Sequence, residues 1–311
     1  MTFATRRATF PSFVDRAAFP FAVYDLEIDG AQHAYVDTGA DAGQRVFVLS
    51  HGTPTWSIDW RHLIPVLERR GRVIAVDHLG FGLSARPRDA DYSPEAHAAR
   101  FARFVDAVVP GDVDVDLICH DFGGPFALPW AQTARHRLRS LTLLNTFSWA
   151  PIDDDDMGRK ARFAATGLVR LLYRHWNASQ QIIARSAFGS RAAWREAREA
   201  MLGPFADDAD GREGVLYALA RSMTASTSFF RALERDAPSF SGVPTLIAWG
   251  LRDTAFTPST LARLAVLYPQ AQVYRCQGSG HWPQCEAADE VNEVIDGFVA
   301  AAIEATRSTH G

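Results

Sequence analysis

Short apolar runs recur along this chain with helix-length stretches between most of them, a rhythm that a sheet with crossover helices satisfies and few other architectures do. Residues 22–28 and 32–37 read as an antiparallel pair turning through Asp29-Gly30, a dipeptide that accepts the positive φ angles of a two-residue hairpin. Six further strands are expected at 46–49, 73–76, 113–118, 141–144, 243–249 and 272–276, most of them short and apolar enough to be covered on both faces. Helices are expected at about 59–69, 95–108, 123–136 and 259–267. A last one at about 286–303 carries Val291, Val294, Ile295, Phe298 and Val299 on one stripe. The expected fold class is α/β, with a mostly parallel eight-stranded sheet flanked by helices.

From 148 to 237 the rhythm stops. This stretch includes the run Asp153-Asp154-Asp155-Asp156, read as a solvated turn or helix start, and continues as helical segments at 162–176 and 191–201 without a convincing strand. It reads as a helical lid inserted after the sixth strand, which divides the chain into a core of 1–147 and 238–311 and a cap of 148–237. A lid can supply an apolar pocket and exclude water from a carboxylate beneath it.

With 311 residues, 47% of them hydrophobic, the chain can bury a full core. The net charge of -4 is small and no long basic stripe occurs, so neither nucleic acid nor an anionic membrane is expected as a partner. Nowhere is there a run of roughly 18 apolar residues that would span a bilayer. The N-terminus, interrupted by Arg6, Arg7, Asp15 and Arg16, lacks a signal-peptide core. Cys119, Cys276 and Cys285 are too scattered for a disulfide framework or a soft-metal cluster, which agrees with a reducing, cytoplasmic location. Oligomeric state is not legible.

Three separated segments carry candidate chemistry. His51-Gly52-Thr53-Pro54-Thr55-Trp56 follows a strand, and its glycine permits a sharp turn that would aim the Thr53 N–H into a cavity beside the sheet. Cys119-His120-Asp121-Phe122-Gly123-Gly124 follows another strand and places a carboxylate where many hydrolases carry a serine. Small residues two positions either side of such a nucleophile, here Cys119 and Gly123, allow strand and helix to cross closely. The N–H groups of Thr53 and Phe122 would then form an oxyanion hole. Pro125 suits a first helical turn, whereas Pro129 is expected to kink or break that helix. The third segment pair is Gly250-Leu251-Arg252-Asp253, just beyond a strand, and Gly278-Ser279-Gly280-His281-Trp282 before the last helix. The order Asp121, Asp253, His281 is that of nucleophile, acid and base.

Such a set attacks carbon with an Asp121 oxygen, expels a leaving group or opens a strained ring, and leaves an ester. His281, oriented by Asp253, then takes a proton from water that attacks the ester carbonyl. The chemistry calls for no metal or organic cofactor, and no His-Asp ligand spacing suggests a metal. Blander readings exist for each piece. Asp121 could cap a helix, the His51 segment could be an ordinary turn, His120 and His78 read as scaffold histidines, and the whole could be a non-catalytic binding protein whose three side chains fail to converge.

Together these residues resemble the α/β-hydrolase superfamily of haloalkane dehalogenases and epoxide hydrolases. The segments that carry the resemblance are His51 to Trp56 with Trp60 to Pro65, Asp77-His78-Leu79-Gly80-Phe81-Gly82-Leu83-Ser84, His120 to Gly124, Trp249 to Asp253 and Gly280-His281-Trp282-Pro283, spread over about 20–147 and 238–303. The resemblance implies an Asp-His-Asp triad under a helical cap, a small apolar or weakly polar organic substrate, and water as co-substrate. The dehalogenase branch, which includes relatives acting on β-lactones, is the nearest in flavour.

Departures from that family bear on the substrate. Similar dehalogenases donate N–H bonds to the halide from an asparagine at the Thr53 position, or a lid tryptophan, and from a tryptophan at the Phe122 position. Here Phe122 offers no donor. Trp56, Trp149 and Trp176 are candidate replacements, and Trp282 is a further candidate for the pocket wall. Fluoroacetate dehalogenases carry an arginine beside the nucleophile where this chain has Phe122, which disfavours a small haloacid. Epoxide hydrolases use lid tyrosines to protonate the opened alkoxide, a role open to Tyr173 and Tyr217. A β-lactone or strained ester needs neither device. Halide, epoxide and lactone all stay open, with a haloalkane dehalogenase-like hydrolase as the leading expectation.

Overall fold

The structure, a computed structural model, describes residues 4–39 and 45–310. Nine strands form one sheet: β1 (Thr5–Arg6), β2 (Val23–Ile28), β3 (Ala31–Asp37), β4 (Arg45–Ser50), β5 (Arg72–Val76), β6 (Asp114–Asp121), β7 (Leu138–Thr146), β8 (Thr245–Gly250) and β9 (Gln272–Cys276). Their spatial order is β1-β2-β3-β5-β4-β6-β7-β8-β9. The first three are antiparallel to their neighbours, and β5 through β9 run parallel. The β2–β3 turn is built as its dipeptide demands, with φ of 55° at Asp29 and 75° at Gly30.

The eight expected strands are present, and β1 is a ninth. Two polar residues have no periodicity to betray them. They form a strand because Arg7, which follows, ion-pairs with Asp25 at 2.5 Å and holds the chain against the edge of β2.

Alternation along each strand feeds two apolar layers. In β4, Val46 and Val48 pack with Phe101, Phe104 and Phe126 of the helices Pro94–Val108 and Gly123–Thr133. Phe47 and Leu49 point the other way, toward Leu67, Val291, Ile295 and Val299. The helix Gly123–Thr133 runs through Pro129 without being split.

The segment between β7 and β8 contains helices and no strand, and forms a cap over the C-terminal ends of the parallel strands. Asp154 opens its first long helix, Asp155–Ala164, by accepting bonds from the Asp156 and Met157 amides. The helical run expected at 162–176 is instead broken at Ala165, because the Thr166 side chain caps a new helix, Gly167–Trp176, by accepting from the Val169 N–H. Two π-helical turns, Ser179–Ala184 and Arg212–Tyr217, follow. No described helix is long and apolar enough to cross a membrane.

Candidate active site

β6 ends on Asp121, whose φ of 51° lies in the left-handed region, and the helix Gly123–Thr133 starts two residues later. A non-glycine residue held there is strained, and the strain projects its side chain out of the strand line. The turn closes only because Gly123 has no side chain: a Cβ there would sit 2.1 Å from the Ser50 carbonyl oxygen. Gly52 is constrained in the same way, since its Cβ would lie 2.2 Å from Asp121 Oδ1.

That absence lets the 51–56 turn lie against the carboxylate. The Thr53 N–H donates to Asp121 Oδ1 at 2.7 Å, while Oδ2 lies 3.4 Å from His281 Nε2. His281 Nδ1 is 2.6 Å from Asp253 Oδ2. Asp253 is held in turn by the amides of Ala255 and Phe256 on Oδ1, at 2.7 and 3.0 Å, and by Asn145 Nδ2 on Oδ2 at 2.8 Å. All three triad residues are at most 4% exposed. The convergence removes the premise of the non-catalytic reading.

Burial opposes charge on His281, but the two carboxylates outweigh it, Asp253 first and Asp121 second, and raise its pKa to about 10. Between these two carboxylates the resting imidazole holds its proton more tightly than a free histidine does. His120 is different. Burial pushes its pKa down to about 3, and its Nε2 lies 2.8 Å from the His281 carbonyl oxygen. A carbonyl only accepts, so this contact selects the Nε2–H tautomer and makes His120 a brace for the base loop. His78 is likewise scaffold, its N–H donating to His51 Nε2 at 3.0 Å.

A cavity of about 320 Å³ lies over Asp121 and His281. Thr53, Phe122, Tyr173 and Trp282 are in its wall, together with cap side chains such as Met157, Val169, Leu216 and Met223 that had no distinguishing sequence signal. Four tryptophans and tyrosines expected in the pocket do not line it. Trp56 is fully buried against Phe13 and Phe19, with its indole N–H donating to the Ala200 carbonyl at 2.9 Å. Trp149 is buried beneath the Arg263 guanidinium. Trp176, at the end of its helix, is 65% exposed. Tyr217 turns away and donates to the Ala165 carbonyl at 2.9 Å. Aromatic identity says nothing about where a side chain is packed: Trp56 and Trp149 lie in core loops that turn them into the scaffold, and Trp176 and Tyr217 sit on cap helices that turn them away from the cavity.

Two residues that support the site went unread in the sequence. Asn145, at φ 30°, accepts from the Gly250 amide at 2.9 Å while donating to Asp253, and so ties β7 to the acid loop. Glu286 accepts from the amides of Gly189, Gly280 and Trp282 at 2.6, 3.1 and 3.2 Å, joining the cap to both sides of His281. Removing it orphans three N–H groups. Glu286→Ala is expected to cost about 2–4 kcal/mol of stability, measured by denaturant titration, and a loss below about 0.5 kcal/mol would show that water replaces the carboxylate.

Among the described residues no group of three His, Cys, Asp or Glu side chains is arranged to hold a metal. Residues 45–288 match the family of the alpha/beta hydrolase fold. Haloalkane dehalogenase 2 of Mycobacterium tuberculosis is 30% identical over 286 residues, which covers 90% of this chain and 96% of that protein. Cis-3-alkyl-4-alkyloxetan-2-one decarboxylase of Xanthomonas campestris pv. campestris is 28% identical over 295 residues, covering 88% and 93%. The crystal structure of haloalkane dehalogenase DbeA from Bradyrhizobium elkani matches in fold with a TM-score of 0.76 at 22% identity, over 91% of this chain and 99% of that one.

Proposed function

The chain belongs to the α/β-hydrolase family, in its haloalkane-dehalogenase-like branch, and from that membership we propose that it hydrolyses a small apolar electrophile through an ester on Asp121. One observation carries this reading: the two oxygens of Asp121 have different neighbours. Oδ1 is held by the Thr53 amide, and Oδ2 faces His281 at the floor of the cavity.

Oδ2 is therefore the nucleophile. It forms a bond to the substrate carbon as that carbon's bond to the leaving group breaks, and the leaving group departs with the electron pair. Oδ1 becomes the ester carbonyl, already hydrogen-bonded to Thr53, with the Phe122 amide as second donor. Water then attacks the Asp121 carbonyl carbon, giving a proton to His281 Nε2. The charge that develops on Oδ1 falls where the oxyanion donors are, and one such donor is worth about 3 kcal/mol. Collapse releases the alcohol with the proton that His281 held. Residues 148–237 act as the cap, and Tyr173 and Trp282 contribute to the apolar wall.

Within this mechanism the wall favours a leaving group that needs no cradle. Thr53 and Phe122 bring no side-chain N–H, and Trp282 Nε1 is buried. Tyr173 is the lone phenol in the lining, where epoxide opening in this superfamily uses a pair. A β-lactone fits best: attack on the ring carbon bearing oxygen expels a carboxylate that is stable in its own right. The similarity to a decarboxylase named for an oxetanone, a four-membered lactone, at nearly the same identity as haloalkane dehalogenase 2, keeps such a ring among the electrophiles this branch takes.

The experiment is a single turnover in water carrying a heavy oxygen isotope, with a 1-haloalkane, an epoxide and a β-lactone as substrates. Label is expected in the Asp121 peptide and not in the product of that first turnover, since the product oxygen comes from the enzyme. Label that goes directly into the product would mean water, not Asp121, attacks the substrate. The β-lactone is expected to turn over fastest of the three.

A further inference from the structure

Next to the reactive cavity, and sharing Ser186 of its wall, the outer face of the cap carries an open groove of about 980 Å³. Its ionisable lining is entirely arginine: Arg185, Arg191, Arg195 and Arg198, with no carboxylate among the lining residues. All four are exposed, and among the described residues none of them has an ion-pair partner. The acids on the same helix do not line the groove, and Glu196 is directed to Arg61 at 3.9 Å.

Three of these cations form one stripe on the helix Arg191–Leu202, spaced four and three residues apart. Like charges at that spacing repel across a helical turn, an effect that Glu199, four residues after Arg195, opposes. A protein of net charge -4 thus gathers, in one concavity, four arginines without an ion-pair partner among the described residues. The floor is apolar. Phe188 and Trp194 pack with ring centroids 5.4 Å apart, and Ile182 stands 57% exposed beside them. Ile182 is one of seven large apolar side chains that the described surface leaves exposed, and of these it is the one that lines the groove.

We infer that this groove is a binding site for an anionic amphiphile, with a carboxylate or phosphate head on the arginines and an alkyl chain along Ile182, Phe188 and Trp194. The guanidinium fork matches the paired oxygens of either head in two parallel hydrogen bonds. The apolar floor selects against a bare inorganic ion. The inference stands apart from the chemistry at Asp121, since none of the four arginines lines the reactive cavity.

Calorimetric titration of the full chain with laurate below its micelle concentration tests it, with 1-dodecanol and inorganic phosphate as the two half-ligands. Laurate is expected to bind at least about tenfold more tightly than either half-ligand. The double variant Arg191→Glu, Arg195→Glu is expected to weaken laurate at least about tenfold. Turnover and the far-ultraviolet circular dichroism should stay unchanged, and Arg195→Gln gives a milder check should the double variant fold poorly. Vesicles of phosphatidylglycerol against phosphatidylcholine distinguish the source of the head group: retention on the anionic vesicles alone assigns it to a lipid surface, and laurate binding without retention assigns it to a free amphiphile. Equal affinity for dodecanol, equal affinity for phosphate, or laurate binding untouched by the arginine substitutions would overturn the inference.

Discussion

His281→Gln is expected to halt the enzyme after bond formation to Asp121, leaving one equivalent of ester per site. Formation needs only the carboxylate, which Thr53 orients and His281 does not activate. Hydrolysis needs a base to take a proton from water, and glutamine cannot serve. The loss of a positioned general base slows that step by about 10²–10⁴-fold, or roughly 3–5 kcal/mol of barrier. With a 1-haloalkane, rapid quench should show a burst of halide equal to the enzyme concentration, and with any of the three substrate classes intact-protein mass should show the adduct, which retains the ring-opened carboxylate or alcohol when the substrate is a β-lactone or an epoxide. Asp121→Asn should abolish both. Protein recovered unmodified from haloalkane, epoxide and β-lactone alike would mean that this carboxylate is not the nucleophile.

The second large effect is in the pH dependence, through Asp253. In the resting site burial disfavours the His281 cation, yet Asp253 and then Asp121 hold its pKa up at about 10, which opposes its acting as a base there. Esterification changes this. It neutralises the Asp121 carboxylate 3.4 Å from Nε2, leaving burial opposed by Asp253 alone, and the His281 pKa falls. The base thus becomes available once there is an ester to cleave. Hydrolysis in single turnover is expected to rise with pH through this lowered pKa, while ester formation is expected to stay level over the same range.

Asp253→Asn removes the leading cause of the raised pKa. A carboxamide can also donate to Nδ1, selecting the tautomer whose Nε2 carries hydrogen and cannot take a proton from water. Hydrolysis should fall about 10³–10⁴-fold, and the resting His281 should titrate well below 10 by NMR. The stability sign follows from the same shift. A group whose folded pKa is raised stabilises the fold fully below its unfolded value of about 6.5 and loses that contribution as pH rises through the folded one. The variant's stability deficit should therefore be largest near pH 6 and shrink toward pH 10. A resting His281 that titrates near 6.5 in the parent protein would remove the basis for the gating.

Much of this molecule could be read along the chain. The short apolar strand expected at 46–49, covered on both faces, is present, with Val46 and Val48 in one layer and Phe47 and Leu49 in the other as the strand period requires. Asp121, Asp253 and His281 were legible because each follows a strand in a short motif, and parallel strands deliver their following loops to one edge. The supports of the site were not. Asn145 looks like an ordinary strand-end residue, and Glu286 became a ligand for three amides only when the cap brought Gly189 to it.

The cap marks where local pattern gives way to spatial arrangement. Its helical character followed from composition, but the inward face of each helix depends on where the preceding turn stops. Thr166 starts a new helix whose Tyr173 enters the cavity, while Trp176, the last residue of the same helix and beyond the cavity wall, is exposed. The arginine groove has the same origin: no basic run announces it, because Arg185 meets the 191–198 stripe only through the fold of the cap. Backbone periodicity and loop chemistry are local properties and can be written in order along a chain. Which side chains share a cavity is set by how separate elements rotate against each other, and that is a property of their packing.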